Sequence, residues 1–472
     1  MARSQIHFVT GKLAEPSLRN LLAELAPKAG FDYTIQVLNI TVAALMTPTW
    51  IAKRIEVPSG TTEVLVTGYC QGDLKIIEQA AGVPVQRGPK DLRQLPDWFQ
   101  QPKLADGYGQ YAIEILAEIN HAPCFTLPEI LAEARRLQND GADRIDIGCN
   151  PGAVWSGVAD CVKALCDEGF RVSIDSLHPD EIALAVKAGA DLVLSVNSSN
   201  RDFAADWECE VVVIPDDPKT LLGFGDTIGY LEKRGVPFRL DPILDPISFG
   251  FTESLVRYHT VRREYPHAEM MMGTGNLTEL TDSDSVGINV LLLGICQELG
   301  IRSVLTTQVI NWAQSSVREC DLARRLMHYA VHHQTLPKRI EPRLVTLRDP
   351  KVTELSPEEL DRLPRELKDQ NYRLFVAQQM LHLIASDMHL KDQDPFMLFE
   401  KLQAKQPRNL NASHAFYLGF ELCKAMTALH LGKQYRQDEA LDWGFLTREE
   451  KSHRIDFPKQ RTNPSQEKEG DQ

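Results

Sequence analysis

Three apolar β-type runs follow one another in the stretches GADRIDIGCNP (141–151) and RVSIDSLHPDEIALAVKAGADLVLSVNSSN (171–200). Each run ends in a carboxylate or a carboxamide, namely Asp146 with Asn150, Asp175, and Asn197. The connection after Asp175 contains Pro179 and an alanine-rich segment and is long enough for a helix, so the strands on either side are predicted to be parallel. Polar groups at the carboxyl ends of parallel strands predict a (β/α) barrel or an open doubly wound sheet with its chemistry at that end.

Five further β-type runs extend this pattern in both directions. From Tyr111 onward the eight runs read AIEILAEINH, ADRIDIG, RVSIDS, DLVLSVNS, EVVVIP, FRLDPIL, AEMMMGTGN and RSVLTTQV. Amphipathic stretches separate most of them, for example TLPEILAEARRLQNDG (126–141), in which apolar residues recur at helical spacing before a terminal glycine. Eight strands with intervening helices favour a closed (β/α)8 TIM barrel over an open sheet, and we assign it to residues 110–312.

Strand and helix signals also alternate in the first hundred residues. IHFVTG, YTIQVLNI, TEVLVTGY and VPVQRG read as strands, with helices predicted from Pro16, around Trp50 and from Asp73. This alternation predicts an N-terminal Rossmann- or flavodoxin-like α/β domain over residues 1–105. The segment 94–109 is rich in Pro, Gln, Asp and Gly and is predicted to be a linker.

The strand signal fades after residue 312. VRECDLARRLMHYAVHH, NYRLFVAQQMLHLIAS and HAFYLGFELCKAMTALHL are read as helices, which predicts a helical C-terminal region over residues 313–458. The polar segment 459–472 is predicted to be a disordered tail.

Composition narrows the possible partners and the compartment. The 472 residues carry a formal net charge of -14, which opposes binding to nucleic acid or to an anionic membrane and favours small molecules or other proteins. The nine cysteines are scattered without a C-x-x-C pair, which is typical of reduced thiols. No signal peptide is recognisable, and no apolar run approaches the roughly 18 residues of a membrane span. We therefore expect a cytoplasmic protein with no membrane association.

Acidic and amide side chains dominate the ends of the predicted barrel strands. They are Asn120, Asp146 with Asn150, Asp175, Asn197, Asp216 with Asp217, Asp241 with Asp245, and Asn276. Such a ring suits a flat heterocycle whose edge carries several donors and acceptors. A pterin presents two adjacent N–H donors that one carboxylate can accept together, while carboxamides can serve the remaining ring atoms.

The phrases GADRIDIG, VSIDS with AVKAGADLVLSVN, LDPILDPISFG and GTGNLTELTDSDSVGIN resemble the pterin-binding barrel that dihydropteroate synthases share with corrinoid-linked methyltetrahydrofolate methyltransferases. The resemblance covers roughly residues 110–312. The long chain with an additional N-terminal α/β unit is most similar to the dihydropteroate-synthase-related proteins linked to tetrahydromethanopterin biosynthesis.

The resemblance implies roles for individual residues. Asn120 matches the first-strand asparagine that holds a metal–pyrophosphate group, so it is the implied Mg²⁺ ligand. Asn120 and Asn276 are the implied catalytic residues. Asp175 and Asn197 match pterin contacts of the third and fourth strands. Asp245 best matches the aspartate that grips the pterin amino edge, and Asp241 is its rival. Asp146 and Asn150 complete the implied pterin site, to which Asn276 also belongs.

Two departures from the synthase pattern bear on the chemistry. CNPGAVW stands where the synthases carry ESTRPG, and TTQVINW replaces the Arg-x-His ending of their eighth strand. Cationic groups that would stabilise departing pyrophosphate are thus missing from their usual places, while Glu279, Asp282 and Asp284 make one loop acidic. A polyanion would be repelled there unless a divalent ion neutralised it, so we expect Mg²⁺ dependence if pyrophosphate is the leaving group.

The resemblance implies a dihydropteroate-synthase-like transferase that condenses a 6-hydroxymethyl-dihydropterin pyrophosphate with an arylamine, in tetrahydromethanopterin or folate biosynthesis and hence in one-carbon metabolism. A homodimer is expected. One alternative is a methyl-pterin methyltransferase, which would need a separate corrinoid protein because no D-x-H-x-x-G motif is present. A second alternative is a non-catalytic pterin-binding protein.

Overall fold

In the computed structural model, residues 4–90, 92–100, 107–152, 154–367 and 371–450 are described, and of Arg93, Asp97 and Gln100 only the backbone. The predicted tail 459–472 lies outside these residues. The chain divides into two units, Met1–Ala105 and Asp106–Gln472. No helix in the described ranges is long and apolar enough to cross a membrane.

The first unit is a four-stranded parallel sheet in the order β2-β1-β3-β4. Its strands are β1 (Gln5–Gly11), β2 (Asp32–Leu38), β3 (Glu63–Val66) and β4 (Val85–Arg87). Its helices are α1 (Glu15–Ala29), α2 (Pro48–Ala52), α3 (Lys75–Ala81) and α4 (Leu95–Gln100). Apolar side chains pack on both faces of the sheet in two separate clusters. The predicted N-terminal α/β fold is confirmed.

The predicted linker is partly wrong. Helix α4 occupies residues 95–100, and Leu95 is buried in the core of the first unit. Polar composition favoured a linker, but one apolar anchor beside Trp98 and Phe99 is enough to dock a short helix on the sheet. The remainder of the predicted linker up to residue 106 lies outside the described residues.

The second unit begins with a closed barrel of eight parallel strands, as predicted. The strands are β5 (Glu114–Ile119), β6 (Arg144–Gly148), β7 (Val172–Asp175), β8 (Leu192–Val196), β9 (Glu210–Val213), β10 (Phe238–Leu240), β11 (Glu269–Gly273) and β12 (Ser303–Thr306). The helices are α5 (Leu127–Asp140), α6 (Val158–Asp167), α7 (Pro179–Ala188), α8 (Phe224–Glu232), α9 (Phe251–Glu264), α10 (Gly275–Thr278), α11 (Ser285–Leu299) and α12 (Ser316–His332). Because side chains alternate across each strand, every second residue points into the barrel.

The barrel interior is layered. The lowest layer is ionic: Glu114 binds Arg144, Arg171 and Arg239 at 3.2, 2.8 and 2.9 Å. Above it lies an apolar layer formed by Leu116, Leu192, Leu194, Val212, Met271 and Leu305. The carboxyl ends of the strands come next, so the acidic residues at that end stand on a packed floor rather than over an open channel.

The C-terminal part of this unit combines helices with a small antiparallel sheet in the order β13-β14-β15. Its elements are α13 (Pro357–Glu366), β13 (Arg373–Ala377), β14 (Met380–Ala385), β15 (Met388–Asp392), α14 (Pro395–Ala404) and α15 (Ala412–Leu431). Apolar residues of β13, β14, α14 and α15 share one core. A helical C-terminal region is thus present, including the predicted helices α12 and α15.

The prediction of a helix over NYRLFVAQQMLHLIAS is wrong. This segment is the hairpin β13–β14, in which Ala377 pairs with Met380 across the two-residue loop Gln378–Gln379. Both glutamines have positive φ, 51° and 59°, which matches the right-handed twist of the paired strands. The sequence carries none of the glycine or asparagine that usually signals such a turn, so the apolar run could not be distinguished from a helix.

Candidate active site

Three carboxylates from adjacent strands converge above the apolar layer of the barrel. Glu118 lies on β5, Asp146 on β6 and Asp175 at the end of β7. Glu118 is paired in register with Asp146, and Asp175 with Gly148. One oxygen of each carboxylate lies within 4.8 Å of the other two. We call Glu118, Asp146 and Asp175 the carboxylate triad.

Asp146 is completely buried, and its two oxygens differ in their surroundings. The Ser173 hydroxyl donates to Oδ1 at 2.6 Å, whereas Oδ2 has no hydrogen-bond partner among the described residues. Burial, together with the charges of Asp175 and Glu118, raises the pKa of Asp146 well above its usual range. Such a carboxylate is costly in its charged form unless a proton or a cation compensates it.

The other two members of the triad are held in the same acidic surroundings. Burial raises the pKa of Asp175, and the Ser195 hydroxyl, which donates to its Oδ1 at 3.3 Å, opposes that shift. Burial and the charges of Asp175 and Glu279 raise the pKa of Glu118 to about 7. A Cβ on Gly148 would stand 2.5 Å from Glu118 Oε1, so a larger residue there would displace this carboxylate.

Glu279 is a fourth acidic group near the triad. It lies in the loop after β11, and its Oε1 accepts a hydrogen bond from the Thr307 hydroxyl just past β12. The hydrogen bond from Thr307 therefore holds the Glu279 side chain in place. The loop that carries it leads to helix α11, whose N-cap residue is Asp284.

Asp241 and Asp245 occupy different positions in the segment that follows β10. Asp241 comes directly after the strand and is buried, and its Oδ1 accepts from the Tyr258 hydroxyl at 2.5 Å and from the Ile243 amide at 2.8 Å. Burial raises the pKa of Asp241 to about 6. Asp245 lies farther along the loop, where Arg257 binds it at 2.8 Å. The strand-end carboxylate here is thus Asp241.

Asn197 and Asp216 organise the loop that follows β8. The side-chain oxygen of Asn197 accepts from both the amide and the hydroxyl of Ser199, at 2.9 and 2.7 Å. Asp216 accepts from the Ser198 amide at 3.0 Å. The oxygen of Asn197 is therefore occupied within its own loop, and its NH₂ group is the part of this side chain suited to a ligand.

The remaining predicted residues follow their strands at the same end of the barrel. Asn276, in α10, donates to the Leu244 carbonyl at 2.9 Å and thereby ties α10 to the segment between Asp241 and Asp245. Asn150 contacts the His121 ring at 2.7 Å. Asn120 is half-buried at the end of β5. Asp217 accepts from Lys219 and Thr220 within a turn and is structural.

Glu118 is the site residue that sequence reasoning missed. It precedes Asn120 by two positions, so strand alternation places both on the interior face of β5. That spacing is a usable signal, but composition alone does not distinguish an acidic residue inside a strand from the rest of the run. Asp146 and Asp175 were identified from the sequence, and the fold brings them together with Glu118.

In comparisons with known proteins, the two units of the chain match different protein families. Residues 120–221 match the protein family described as pterin binding enzyme, which confirms the resemblance to pterin-binding barrels. Residues 4–90 match a family described as of unknown function (DUF6513). The uncharacterized protein MJ0107 of Methanocaldococcus jannaschii is 26% identical over 92% of this chain and 98% of its own length, so the sequence similarity extends over both units.

Solved dihydropteroate synthases align with about half of the chain. The Yersinia pestis enzyme with a pterine–sulfa conjugate is 18% identical and covers 48% of this chain and 94% of its own, with a TM-score of 0.37. The Thermus thermophilus enzyme in complex with 4-aminobenzoate is 19% identical and covers 46% and 94%, with a TM-score of 0.36.

Proposed function

We propose that the barrel is a dihydropteroate-synthase-like transferase that condenses a 6-hydroxymethyl-dihydropterin pyrophosphate with an arylamine. The observation that carries the proposal is the half-buried carboxylate of Asp175, which ends β7 inside the segment that matches pterin binding enzymes. Sheltered carboxylates bind the N–H edge of a heterocycle strongly, at about 1.5 to 3 kcal/mol per charge-assisted bond.

The pterin contacts are assigned from the donor and acceptor atoms that each polar side chain still has available. In the proposal Asp175 and Asp241 accept pterin N–H groups, and the NH₂ group of Asn197 donates to a ring acceptor. Asp245 is the weaker candidate because Arg257 already binds it. Asn276 and Asn150 border the same site. Tyr258 and Ile243 hold the Asp241 carboxylate in position before ligand arrives, which reduces the ordering cost of binding.

The transfer itself needs positioning and charge stabilisation rather than an activated side chain. The amine nitrogen forms a bond to the methylene carbon while the C–O bond to pyrophosphate breaks. Pyrophosphate leaves with the electron pair, and the amine loses a proton to solvent. When bound, Mg²⁺ would neutralise the leaving group. The Asn120 carboxamide is an oxygen donor suited to such an ion, and it lies at the acidic mouth where a polyanion otherwise meets repulsion.

The departures in CNPGAVW and TTQVINW favour an amine other than p-aminobenzoate. In the tetrahydromethanopterin branch the amine is a ribosylated aminobenzene derivative, and a changed set of anion-binding residues is consistent with it. Folate biosynthesis remains the alternative pathway for the same reaction.

Pyrophosphate release tests the proposal. The purified protein is given 6-hydroxymethyl-7,8-dihydropterin pyrophosphate and Mg²⁺, with p-aminobenzoate or with the ribosylated phosphate derivative in parallel. We expect release that depends on one amine and stops on chelation of the metal. Activity that survives chelation would remove the Mg²⁺ requirement, and absence of release despite pterin binding would contradict the transferase.

Methyl transfer from an N5-methyl pterin is a second candidate, favoured by Asn276 in the phrase GTGN, which falls where the methyltransferases carry the asparagine of their GLSN phrase. It requires a separate corrinoid protein. Methyl-group loss from the pterin that occurs only when a corrinoid protein is added would support this reaction in place of the condensation.

A further inference from the structure

The spacing of the carboxylate triad is compatible with one shared hard cation. Its three oxygens lie within 4.8 Å of one another. Oxygens on opposite sides of a six-coordinate Mg²⁺ are about 4.2 Å apart, and around Ca²⁺ about 5 Å apart. A single divalent ion can therefore contact one oxygen from each of Glu118, Asp146 and Asp175, with water completing the shell.

A second observation points to a ligand independently of the clustering. Asp146 is fully buried, yet its Oδ2 has no hydrogen-bond partner in the described part of the chain. Buried polar atoms are rarely left in this state, because an unpaired one costs about 1 to 3 kcal/mol and a charged one more. Its Oδ1 is already bound to Ser173, so Oδ2 is the oxygen available to an ion.

The nearby arginines compensate these charges only in part: the charge of Arg144 lowers the pKa of Asp146, but burial and the charges of Asp175 and Glu118 outweigh it. Arg144 is two residues from Asp146 on the same face of β6, but it points to the base of the barrel, where it binds Glu114 and Asp191. Arg239 and Arg171 are bound to Glu114 as well. Above the triad stands another acid, Glu279, whose charge acts on Glu118. Protons or a cation must supply the missing positive charge.

We propose that Glu118, Asp146 and Asp175 bind one divalent cation, of the Mg²⁺ or Mn²⁺ type, inside the barrel mouth. The donor set is all oxygen and carries three carboxylates, which suits a hard ion. This site is distinct from the cation–pyrophosphate position proposed at Asn120. It does not rest on the transferase reaction, although Asp175 takes part in both and couples cation binding to pterin binding.

Calorimetric titration of the metal-stripped full chain with MnCl₂, without pterin or pyrophosphate, tests this site. We expect one Mn²⁺ site per chain in the wild type and at least a tenfold loss of affinity in both Glu118→Gln and Asp146→Asn. Asp282→Asn removes an exposed carboxylate from the acidic loop after β11 and should keep the site, as should Asn120→Ala.

Three results would overturn the assignment: no Mn²⁺ binding by the wild type, unchanged affinity in both triad variants, or loss of the site in Asn120→Ala with retention in Glu118→Gln. Circular dichroism of each variant establishes that it is folded, and Glu118→Gln is the decisive variant if Asp146→Asn is not, since Glu118 is the less buried residue. Pyrophosphate release plays no part in this titration, so failure of the cation site and failure of the transferase are distinguishable.

Discussion

Asp175 is the residue on which the pterin site depends most directly. It ends β7, is half-buried, and receives one hydrogen bond, from Ser195. Asp175→Asn preserves the shape of the side chain but replaces one of two acceptor oxygens with a donor that opposes pterin N–H groups. We expect pterin affinity, measured by fluorescence titration, to fall about tenfold or more. Unchanged affinity would remove Asp175 from the site.

Asp241 predicts a pH dependence of stability. Its pKa in the folded chain is raised to about 6, chiefly by burial, whereas an unfolded aspartate titrates at about 4. Between these values the folded state binds more protons than the unfolded state, so this contribution stabilises the fold in acid and is lost as pH rises through 6.

Comparison with Asp241→Asn isolates that contribution. In urea unfolding, the stability of the wild type relative to the variant should fall by about 2 kcal/mol between pH 4 and pH 7. Asp282→Asn, at an exposed position, should show no such trend. A difference that stays constant over this range would show that Asp241 does not titrate there.

At the scale of secondary-structure elements, Gly141 fixes how helix α5 ends against helix α12. Its φ is +115°, and a Cβ there would stand 2.7 Å from the Cβ of Asp321. Asp321 cannot move away easily, because Arg324 and Arg325 bind it at 2.8 Å each. Gly141→Ala therefore combines backbone strain with a steric clash, and we expect a loss of about 3 kcal/mol in the free energy of unfolding.

Gly300 provides the matched control for Gly141. It ends α11 with φ +64° and has open space around its Cα. Gly300→Ala should cost only the backbone strain of about 1 to 2 kcal/mol. Equal losses for the two variants would show that the Asp321 contact contributes nothing.

The ionic layer at the base of the barrel joins several strands through one carboxylate. Burial alone would raise the pKa of Glu114, but the charges of Arg144, Arg239 and Arg171 outweigh it and lower that pKa. Glu114→Gln leaves the buried Arg144 without this charge partner, so we expect the barrel to lose about 3 kcal/mol in urea unfolding. Glu269→Gln breaks only an exposed pair with Arg302 and should change stability by less than about 1 kcal/mol.

At the scale of the whole molecule, the first unit has the structural elements of an independent domain. Two apolar clusters, one on each face of its sheet, are formed entirely by residues of that unit. We expect residues 1–105 expressed alone to unfold cooperatively on heating, followed by circular dichroism. Leu22→Ala, at a fully buried position, should lower the stability of this fragment by about 2 to 5 kcal/mol. A broad, non-cooperative transition would show that its core is incomplete.

Local sequence patterns are sufficient to predict the strands of the barrel and of the first unit. The eight barrel strands and the four strands of the first unit were recognisable because the alternation of strand and helix signals is set by neighbouring residues. The same holds for Asp146 and Asp175, whose positions at strand ends place them at one end of a parallel barrel. The hairpin β13–β14 escaped because its turn residues, Gln378 and Gln379, adopt positive φ only in the context of the paired strands.

Proximity across strands required the folded chain. Glu118, Asp146 and Asp175 lie on three strands whose relative height depends on the register of the closed barrel, which no local pattern specifies. The same register sends Arg144 to the base and leaves Asp146 Oδ2 unpaired, and the fold separates Asp241 at its strand end from Asp245 beside Arg257. The sequence alone thus determines which residue types end each strand and in what order. The burial of the carboxylates and the electrostatic interaction between them arise only when distant strands are brought within a few ångströms.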